Sequence, residues 1–245
     1  MKQLLRNLLL RAAHKTIRTL SPDGIRDYGK GLSHRRLHPN ATYSPWDDDP
    51  QFLSLYNEIR LHTLVDLYRC YELYTLCAQI QDMPGDLLEV GVWKGGTAKL
   101  MRKFVSRGST LYLADTFSGV VKASEKDSYY KGGEHSDTTE KIVHDLLGTD
   151  ANTNTVFLKG IFPDDTGDLV RGKSFKFVHI DVDTHDSARD SFFYIWDKML
   201  AGGIVVFDDY GFNGCEGVTL FFNGLQLENA LKLYNINGHG IIIKI

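Results

Sequence analysis

Four aspartates in the second half of the chain have the type and spacing of a cation site. Two follow the mainly apolar run 177–180 and two follow the apolar run 204–207; they are Asp181, Asp183, Asp208 and Asp209. If both runs form parallel strands, their carboxyl ends lie on one edge of a sheet, where α/β proteins bind their ligands. Carboxylates on that edge repel one another by roughly 4 kcal/mol per pair at ~4 Å and an effective dielectric of ~20. A bound cation would offset this repulsion.

The ligand chemistry favours a hard divalent cation. Carboxylate oxygens suit Mg²⁺ or Mn²⁺ better than zinc, and no His/Cys cluster in the sequence has zinc-ligand spacing. Asp208 and Asp209 are consecutive, so both can bind one ion only if their strand ends at Phe207. Asp183 is either a further ligand or a nearby base. The alternative is a set of capping and loop carboxylates that binds no metal.

A second arrangement lies earlier in the chain and suits a nucleotide. The run 86–90 predicts a strand, the stretch GVWKGGT at 91–97 predicts a glycine-rich turn, and 98–105 predicts a helix. This layout lets backbone approach a nucleotide, although its ExGxxxGG spacing differs from GxGxxG. A second strand, 110–115, ends in Asp115, which is placed to bind ribose hydroxyls. The sequence therefore indicates an adenosine-containing ligand; the alternative for Asp115 is a solvated strand end.

Five stretches together resemble a known enzyme family. In chain order they are GDLLEVGVWKGGTA from Gly85, LADTFSG at 113–119, KGIFPD at 159–164, FVHIDVD at 177–183 and AGGIVVFDDYG at 201–211. From about residue 60 to the end, the chain is similar to the macrocin and demethylnoviose O-methyltransferase family. The resemblance implies a class I methyltransferase fold, S-adenosylmethionine as cofactor, and Mg²⁺-assisted methylation of a sugar hydroxyl, usually on a natural product.

The resemblance also implies a role for individual residues. The implied cofactor-binding residues are Glu89, Gly91, Gly95, Thr97, Asp115 and Ser118. The implied metal ligands are Asp181, Asp208 and Asp209, and Asp183 matches the proposed general base. His185 stands where the family commonly has an aromatic residue, which makes it a second candidate for the base. In the implied mechanism the cation lowers the pKa of the acceptor hydroxyl and a carboxylate accepts its proton.

Alternating strand and helix patterns predict the fold that positions these residues. We expect an α/β domain with a doubly wound, mostly parallel, seven-stranded Rossmann-like sheet. The further predicted helices cover 52–81 (as one helix or two), 139–147, 187–200 and 218–225, and a third strand covers 155–158. The runs 230–236 and 240–245 predict a closing antiparallel hairpin. Residues 51–245 would form this domain, preceded by a basic helix and an irregular arm at 1–50.

The segments outside the sheet could shape binding surfaces. Residues 1–22 are basic, acid-free and amphipathic, as expected for a membrane-surface helix, a transit peptide, or a helix packed on this domain or a second subunit. We expect a homo-oligomer and no stable membrane insertion. The arm at 31–50 and the loop at 119–140 would border the acceptor, and each of their sugar-contact candidates could equally be structural: Tyr43, Trp46, Tyr129, Tyr130 and His135.

The bulk composition limits the function classes. A chain of 245 residues with a net charge of −3 predicts one large domain and no affinity for nucleic acid. No run approaches the ~20 apolar residues of a membrane-spanning helix. Three cysteines without a CxxC pair fit a reducing compartment, so we expect a cytoplasmic protein.

Other functions compete with methyl transfer. The DxD at 181–183 also occurs in metal-dependent nucleotide-sugar glycosyltransferases, but such an enzyme leaves the glycine-rich turn and Asp115 unexplained. A nicotinamide-dependent oxidoreductase fits less well, because the glycine spacing differs. A non-catalytic binding protein with a degenerate cofactor pocket is a third possibility. Catechols and other vicinal diols are alternative methyl acceptors.

Overall fold

The computed structural model describes residues 5–6, 8–13, 26–27, 33–34, 43–148, 153–235 and 237–245. It divides into two compact units, Met1–Asn40 and Ala41–Ile245. In the first unit, residues 5–6 and 8–13 are helical, and Arg26–Asp27 pairs antiparallel with Ser33–His34. Most of the predicted N-terminal helix and arm lies outside the described residues, so their proposed contacts with a membrane or a second subunit stay predictions.

The second unit contains one seven-stranded sheet. Its strands are β1 (Asp86–Val90), β2 (Leu111–Asp115), β3 (Thr155–Lys159), β4 (Phe175–Ile180), β5 (Met199–Phe207), β6 (Ala230–Tyr234) and β7 (Gly240–Lys244). The order across the sheet is β3-β2-β1-β4-β5-β7-β6. The first five strands in this order are parallel, whereas β7 pairs antiparallel with β5 and with β6. The predicted sheet and its closing hairpin are confirmed.

Helices cover both faces of the sheet. They are α1 (Pro50–Ile59), α2 (Leu67–Gln79), α3 (Gly96–Arg102), α4 (Glu140–Leu147), α5 (His185–Trp196) and α6 (Glu216–Gly224). Successive strand residues point to opposite faces, so Leu87 joins the core cluster that contains α1 to α4, and Leu88 joins the cluster that contains α5 and α6. This burial on both faces explains the nearly continuous apolar runs of the central strands.

Two predicted boundaries were wrong at the α5–β5 connection. The helix predicted to reach Leu200 ends at Trp196, and β5 begins at Met199 rather than Ile204. The glycines expected to end the helix therefore lie inside the strand. The register shifts there, since Phe175 pairs with Met199 whereas Phe177 pairs with Ile204. Gly202, at φ +80°, takes up the irregularity with a backbone conformation that glycine adopts without strain.

Within the described part of the chain, no helix is both long and apolar enough to cross a membrane. All three cysteines are buried as free thiols: Cys70, Cys77 and Cys215. The expected cytoplasmic location and the expected homo-oligomer stay predictions.

Candidate active site

A cavity of about 310 Å³ lies at the carboxyl edge of the parallel strands. The strand ends bring together most of the residues that the sequence singled out, because parallel strands carry their following loops to one edge. The sequence-predicted residues in its wall are Gly91, Thr97, Asp115, Asp181, Asp183, Asp208 and Asp209. The predicted adenosine site and the predicted cation site therefore open into one cavity.

The glycine-rich turn is pressed against the end of β4. Gly91 has φ +87°, and a Cβ atom at this position would lie 1.7 Å from the carbonyl oxygen of Asp181. Its N–H donates to the carbonyl of Ala114, 2.9 Å away. Gly95, the residue immediately before α3, has φ +84°, and a Cβ there would lie 2.7 Å from Cγ1 of Val143. Both glycines are required by close packing as well as by backbone conformation.

Gly91→Ala is expected to destabilise the protein more than Gly108→Ala. Gly108 has nearly the same φ, +88°, but a Cβ there would meet nothing within 4 Å. Gly108→Ala should cost only the left-handed conformation, about 1–2 kcal/mol, whereas Gly91→Ala adds an overpacking cost of about 1–3 kcal/mol. Urea denaturation of both variants measures the difference. Equal losses of stability would show that the contact with Asp181 is not what requires glycine.

Asp115 ties the glycine-rich turn to the end of β2. Its Oδ2 accepts the N–H groups of Val92 at 2.7 Å and Trp93 at 2.9 Å, and its Oδ1 accepts that of Phe117 at 2.6 Å. An ionised carboxylate has about four acceptor positions, so Asp115 keeps capacity for a ligand hydroxyl. The three backbone hydrogen bonds fix the orientation of the Asp115 carboxylate at the cavity wall, and with it the direction of the remaining acceptor positions.

Three carboxylates converge at the ends of β4 and β5. Oxygen atoms of Asp181, Asp208 and Asp209 lie within 4.8 Å of one another. β5 ends at Phe207, as two consecutive ligands require. Burial, followed by repulsion from the neighbouring carboxylates, raises the pKa of Asp181 and of Asp209. The crowding of buried oxygen ligands fits a hard divalent cation.

Asp183 reaches this group through a turn rather than through a continuing strand. β4 ends at Ile180, and Asp183 has φ +63°. The N–H of Asp183 donates to Oδ2 of Asp209 at 2.9 Å, and the N–H of Val182 lies 3.3 Å from the same oxygen. Burial and then repulsion from Asp209 raise the pKa of the Asp183 carboxyl. A carboxyl with a raised pKa is suited to accept a proton.

Asp208 differs from its neighbours because cations already contact it. The guanidinium of Arg69 contacts its Oδ2, while Nε2 of His239 and of His179 lie 3.0 Å and 3.4 Å from its Oδ1. Burial alone would raise the pKa of Asp208, but Arg69 and then the two histidines hold it far below its usual range. Asp208 therefore stays ionised in the site.

A second layer of residues holds these cations in place. Asp66 caps the N-terminus of α2 and also contacts Nε of Arg69 at 3.1 Å. Nδ1 of His239 contacts Glu72, and Nδ1 of His179 lies 3.0 Å from Oε1 of Glu89. α2, β1, β4 and the closing hairpin thus converge on one aspartate. Sequence reasoning missed the residues that contact Asp208 directly: Arg69, His179 and His239.

Four sequence-predicted site residues do not line the cavity. Glu89 is fully buried behind it, paired with His179. Ser118 is exposed, and Gly95 packs against α4. His185 begins α5 with its Nδ1 2.7 Å from Oδ1 of Asp186. The structure therefore brings Asp183 to the cavity and leaves His185 outside its wall.

Residues 116–139 form a loop that borders the cavity beside Asp183. Tyr130 and His135 line the cavity, and Nε2 of His135 lies 4.0 Å from Oδ2 of Asp183. The buried Asp127 anchors the loop by accepting the N–H of His185 at 2.9 Å. The other three aromatic candidates lie elsewhere: Tyr43 and Tyr129 are exposed, and Trp46 packs edge-on against Tyr68 at 4.9 Å.

Residues 56–242 match the family model described as macrocin-O-methyltransferase (TylF). The chain belongs to this family. The resemblance seen in the sequence motifs is thereby confirmed, and this macrocin O-methyltransferase family member is an enzyme that transfers a methyl group to oxygen.

The chain is also similar to one curated relative in sequence and to two solved structures in fold. It is 26% identical to 8-demethyl-8-(2,3-dimethoxy-alpha-L-rhamnosyl)-tetracenomycin-C 4'-O-methyltransferase of Streptomyces olivaceus. The alignment spans 217 residues and covers 80% of each of the two chains. The O-methyltransferase NovP has the same fold, with a TM-score of 0.62 and 24% identity over 75% of this chain and 81% of that one. TomG of Streptomyces achromogenes, solved with S-adenosylmethionine, has a TM-score of 0.51 and 14% identity over 80% of this chain and 90% of that one.

Proposed function

We propose that the protein transfers the methyl group of S-adenosylmethionine to a hydroxyl of a sugar or glycosylated small molecule, with Mg²⁺ or Mn²⁺ held by Asp181, Asp208 and Asp209. The observation that carries this proposal is the shared cavity. Its wall contains the glycine-rich turn and Asp115 on one side and the carboxylates on the other. Family membership favours this function over the glycosyltransferase and non-catalytic alternatives.

The protein's own residues would bind and orient the two substrates. The turn at Gly91 would receive the amino-acid portion of the cofactor, and Asp115 the ribose hydroxyls. S-adenosylmethionine supplies an already activated methyl group, so the protein's main tasks are alignment and placement of charge. The fixed positions of Asp115 and Asp208 suit those tasks, because each carboxylate is held by at least two partners.

Asp183 would accept the proton of the acceptor hydroxyl. A divalent cation, when bound, lowers the pKa of a hydroxyl that it coordinates. The raised pKa of Asp183 makes its carboxylate a better base than an exposed aspartate would be. Tyr130 and His135 stand beside it at the cavity wall and would border the acceptor. His185 remains the second candidate for the base, but its ring lies against Phe221.

The acceptor class follows from the relatives. The Streptomyces olivaceus enzyme is named for methylation of a rhamnosyl tetracenomycin, and on this basis we propose a glycosylated acceptor here. The cytoplasmic location and a homo-oligomeric state are parts of the same proposal. Light scattering with and without residues 1–22 would test the oligomer.

The function is tested by binding and turnover with the full chain. We expect S-adenosylhomocysteine to bind in calorimetry without added metal, and methyl transfer to a deoxyhexosyl glycoside to require Mg²⁺ or Mn²⁺ and to stop with a chelator. Mass spectrometry of the acceptor measures the gain of one methyl group, and a catechol serves as the competing acceptor class. Absence of S-adenosylhomocysteine binding would contradict the proposal, and so would methylation of the catechol alone.

A further inference from the structure

A buried positive charge in the cavity wall lies against one of the proposed metal ligands. Nη1 of Arg69 contacts Oδ2 of Asp208 and lies 3.2 Å from the backbone carbonyl of the same residue. Both side chains are buried, and both residues line the cavity. The guanidinium of Arg69 is therefore part of the place where the carboxylates at the ends of β4 and β5 converge.

The protein itself takes up most of the acceptor capacity of Asp208. Its Oδ1 faces Nε2 of His239 at 3.0 Å and Nε2 of His179 at 3.4 Å, and its Oδ2 faces Arg69. An ionised carboxylate has about four acceptor positions. A cation that bound Oδ2 of Asp208 would therefore share that oxygen with the guanidinium or displace it.

The guanidinium and a divalent cation would also repel each other. Oxygen atoms of Asp181, Asp208 and Asp209 lie within 4.8 Å of one another, so a cation bound by all three carboxylates would lie close to Arg69. Burial and then the charge of Asp208 raise the pKa of Asp209, whereas Arg69 is among the groups that lower it. The guanidinium thus acts on a second carboxylate as well. Like charges repel strongly in a buried site, because water and salt screen them less there.

Two other groups could hold the guanidinium if it left Asp208. Nε of Arg69 contacts Oδ2 of Asp66 at 3.1 Å, and the guanidinium carbon lies 4.2 Å from the centre of the Phe212 ring. The first contact is an ion pair, and the second is a cation–π interaction. Displacement from Asp208 would therefore leave the charge of Arg69 partnered.

We propose that Arg69 is the resident counter-ion of the metal site and competes with the divalent cation for Asp208. The metal site is part of the proposed function, on which this role of Arg69 therefore rests. Without a cation, the guanidinium offsets the repulsion among the carboxylates, and it thereby weakens metal binding. The opposite role, in which Arg69 orients Asp208 toward the metal, predicts the opposite effect of removing the guanidinium.

Removal of the charge at position 69 should strengthen metal binding. Arg69→Gln keeps a hydrogen-bond donor without the charge, and Arg69→Met keeps only the apolar length of the side chain. Both variants should bind Mg²⁺ in calorimetry at least about tenfold more tightly than wild type, the size of effect that neighbours of metal ligands have on affinity. Mg²⁺ should also raise the Tm of both variants more than that of wild type.

Lys176→Met is the matched control for loss of a buried positive charge. Lys176 is 1% exposed and lies in β4 at the end opposite to Asp181. Its Nζ donates to the carbonyls of Gln81 at 2.8 Å and Met83 at 3.1 Å. The substitution should lower stability but leave the affinity for Mg²⁺ within about twofold of wild type, as expected for a remote site. An equal gain in affinity in this control would attribute the effect to net charge and overturn the role of Arg69.

The sign of the change in affinity decides between the two roles of Arg69. Unchanged or weaker Mg²⁺ binding in the variants would overturn the competition, while Mg²⁺ binding to wild type would leave the metal site standing. Arg69→Gln alone decides the question if Arg69→Met does not fold. Failure of wild type and of both variants to bind Mg²⁺ or Mn²⁺ would overturn the metal site and the competition together. Binding of S-adenosylhomocysteine would then still support the cofactor part of the proposed function.

Discussion

Asp181→Asn is expected to lower cation-dependent kcat/KM by at least about 100-fold while leaving the affinity for S-adenosylhomocysteine within about twofold of wild type. Oxygen atoms of Asp181 lie within 4.8 Å of those of Asp208 and Asp209, so asparagine removes one charge from the proposed metal site. Cofactor recognition should persist, because the asparagine side chain leaves two sets of contacts intact. The backbone carbonyl of residue 181 still packs against Gly91, and Asp115 still accepts its three backbone N–H groups.

The same variant should change the pH dependence of metal affinity. The pKa of Asp181 is raised by burial and by its acidic neighbours, so protons compete with the cation as the pH falls, and metal binding releases a proton. Calorimetric affinity for Mg²⁺ should therefore weaken toward acidic pH in wild type. Asp181→Asn should weaken binding at every pH and flatten the profile, because it removes one of the groups that titrate.

Asp145→Asn is the control for charge loss alone. Asp145 lies on α4, is exposed and pairs with Lys141 at 2.5 Å, and such exposed pairs contribute little. Its activity and Mg²⁺ affinity should match wild type. If Asp181→Asn kept wild-type activity with Mg²⁺ and wild-type affinity for Mg²⁺, Asp181 would not be a metal ligand. An equal loss of S-adenosylhomocysteine affinity would point to collapse of the cavity instead.

The sequence predicted the edge of the sheet at which the site lies because that information is local. Short apolar runs, a glycine-rich turn and acids at strand ends are all signals that span only a few consecutive residues. These signals correctly placed Asp115, Asp181 and Asp208 at the carboxyl ends of strands that proved parallel.

Local sequence signals of this kind could not identify the partners of Asp208. Arg69 lies 139 residues away along the chain, on a helix whose apolar stripe indicates a core-facing element. His179 sits inside a buried strand and His239 precedes the last strand, so neither belongs to a spacing that marks a ligand set. Only the tertiary packing of α2 and of the closing hairpin brings them together. The turn conformation of Asp183 likewise depends on a contact with Asp209, which no local pattern encodes.

Arg69→Met is expected to lower the free energy of unfolding by about 3–5 kcal/mol, the usual cost of removing one partner from a buried ion pair. Arg69 and Asp208 are 5% and 3% exposed, so water cannot take the place of the guanidinium. Methionine keeps much of the length of the side chain and can still pack on Phe212, whose ring centre lies 4.2 Å from the Arg69 guanidinium carbon. The loss would then report the charge rather than the packing. Urea denaturation measures it.

Asp208→Asn, added to Arg69→Met, should restore part of that stability, because the amide carries no charge that needs a counter-ion. In Arg69→Met alone, His239 and His179 remain beside Asp208, so we expect a loss of stability toward the lower end of the range given for that variant.

Arg171→Met is the control for an exposed ion pair. Arg171 pairs with Asp168 at 2.5 Å, and both side chains are at least 75% exposed. Such an exposed pair contributes little to stability, so Arg171→Met should leave the free energy of unfolding close to that of wild type. A loss equally small for Arg69→Met would show that the two histidines alone satisfy Asp208. Arg69 would then be free to leave the carboxylate when a cation binds.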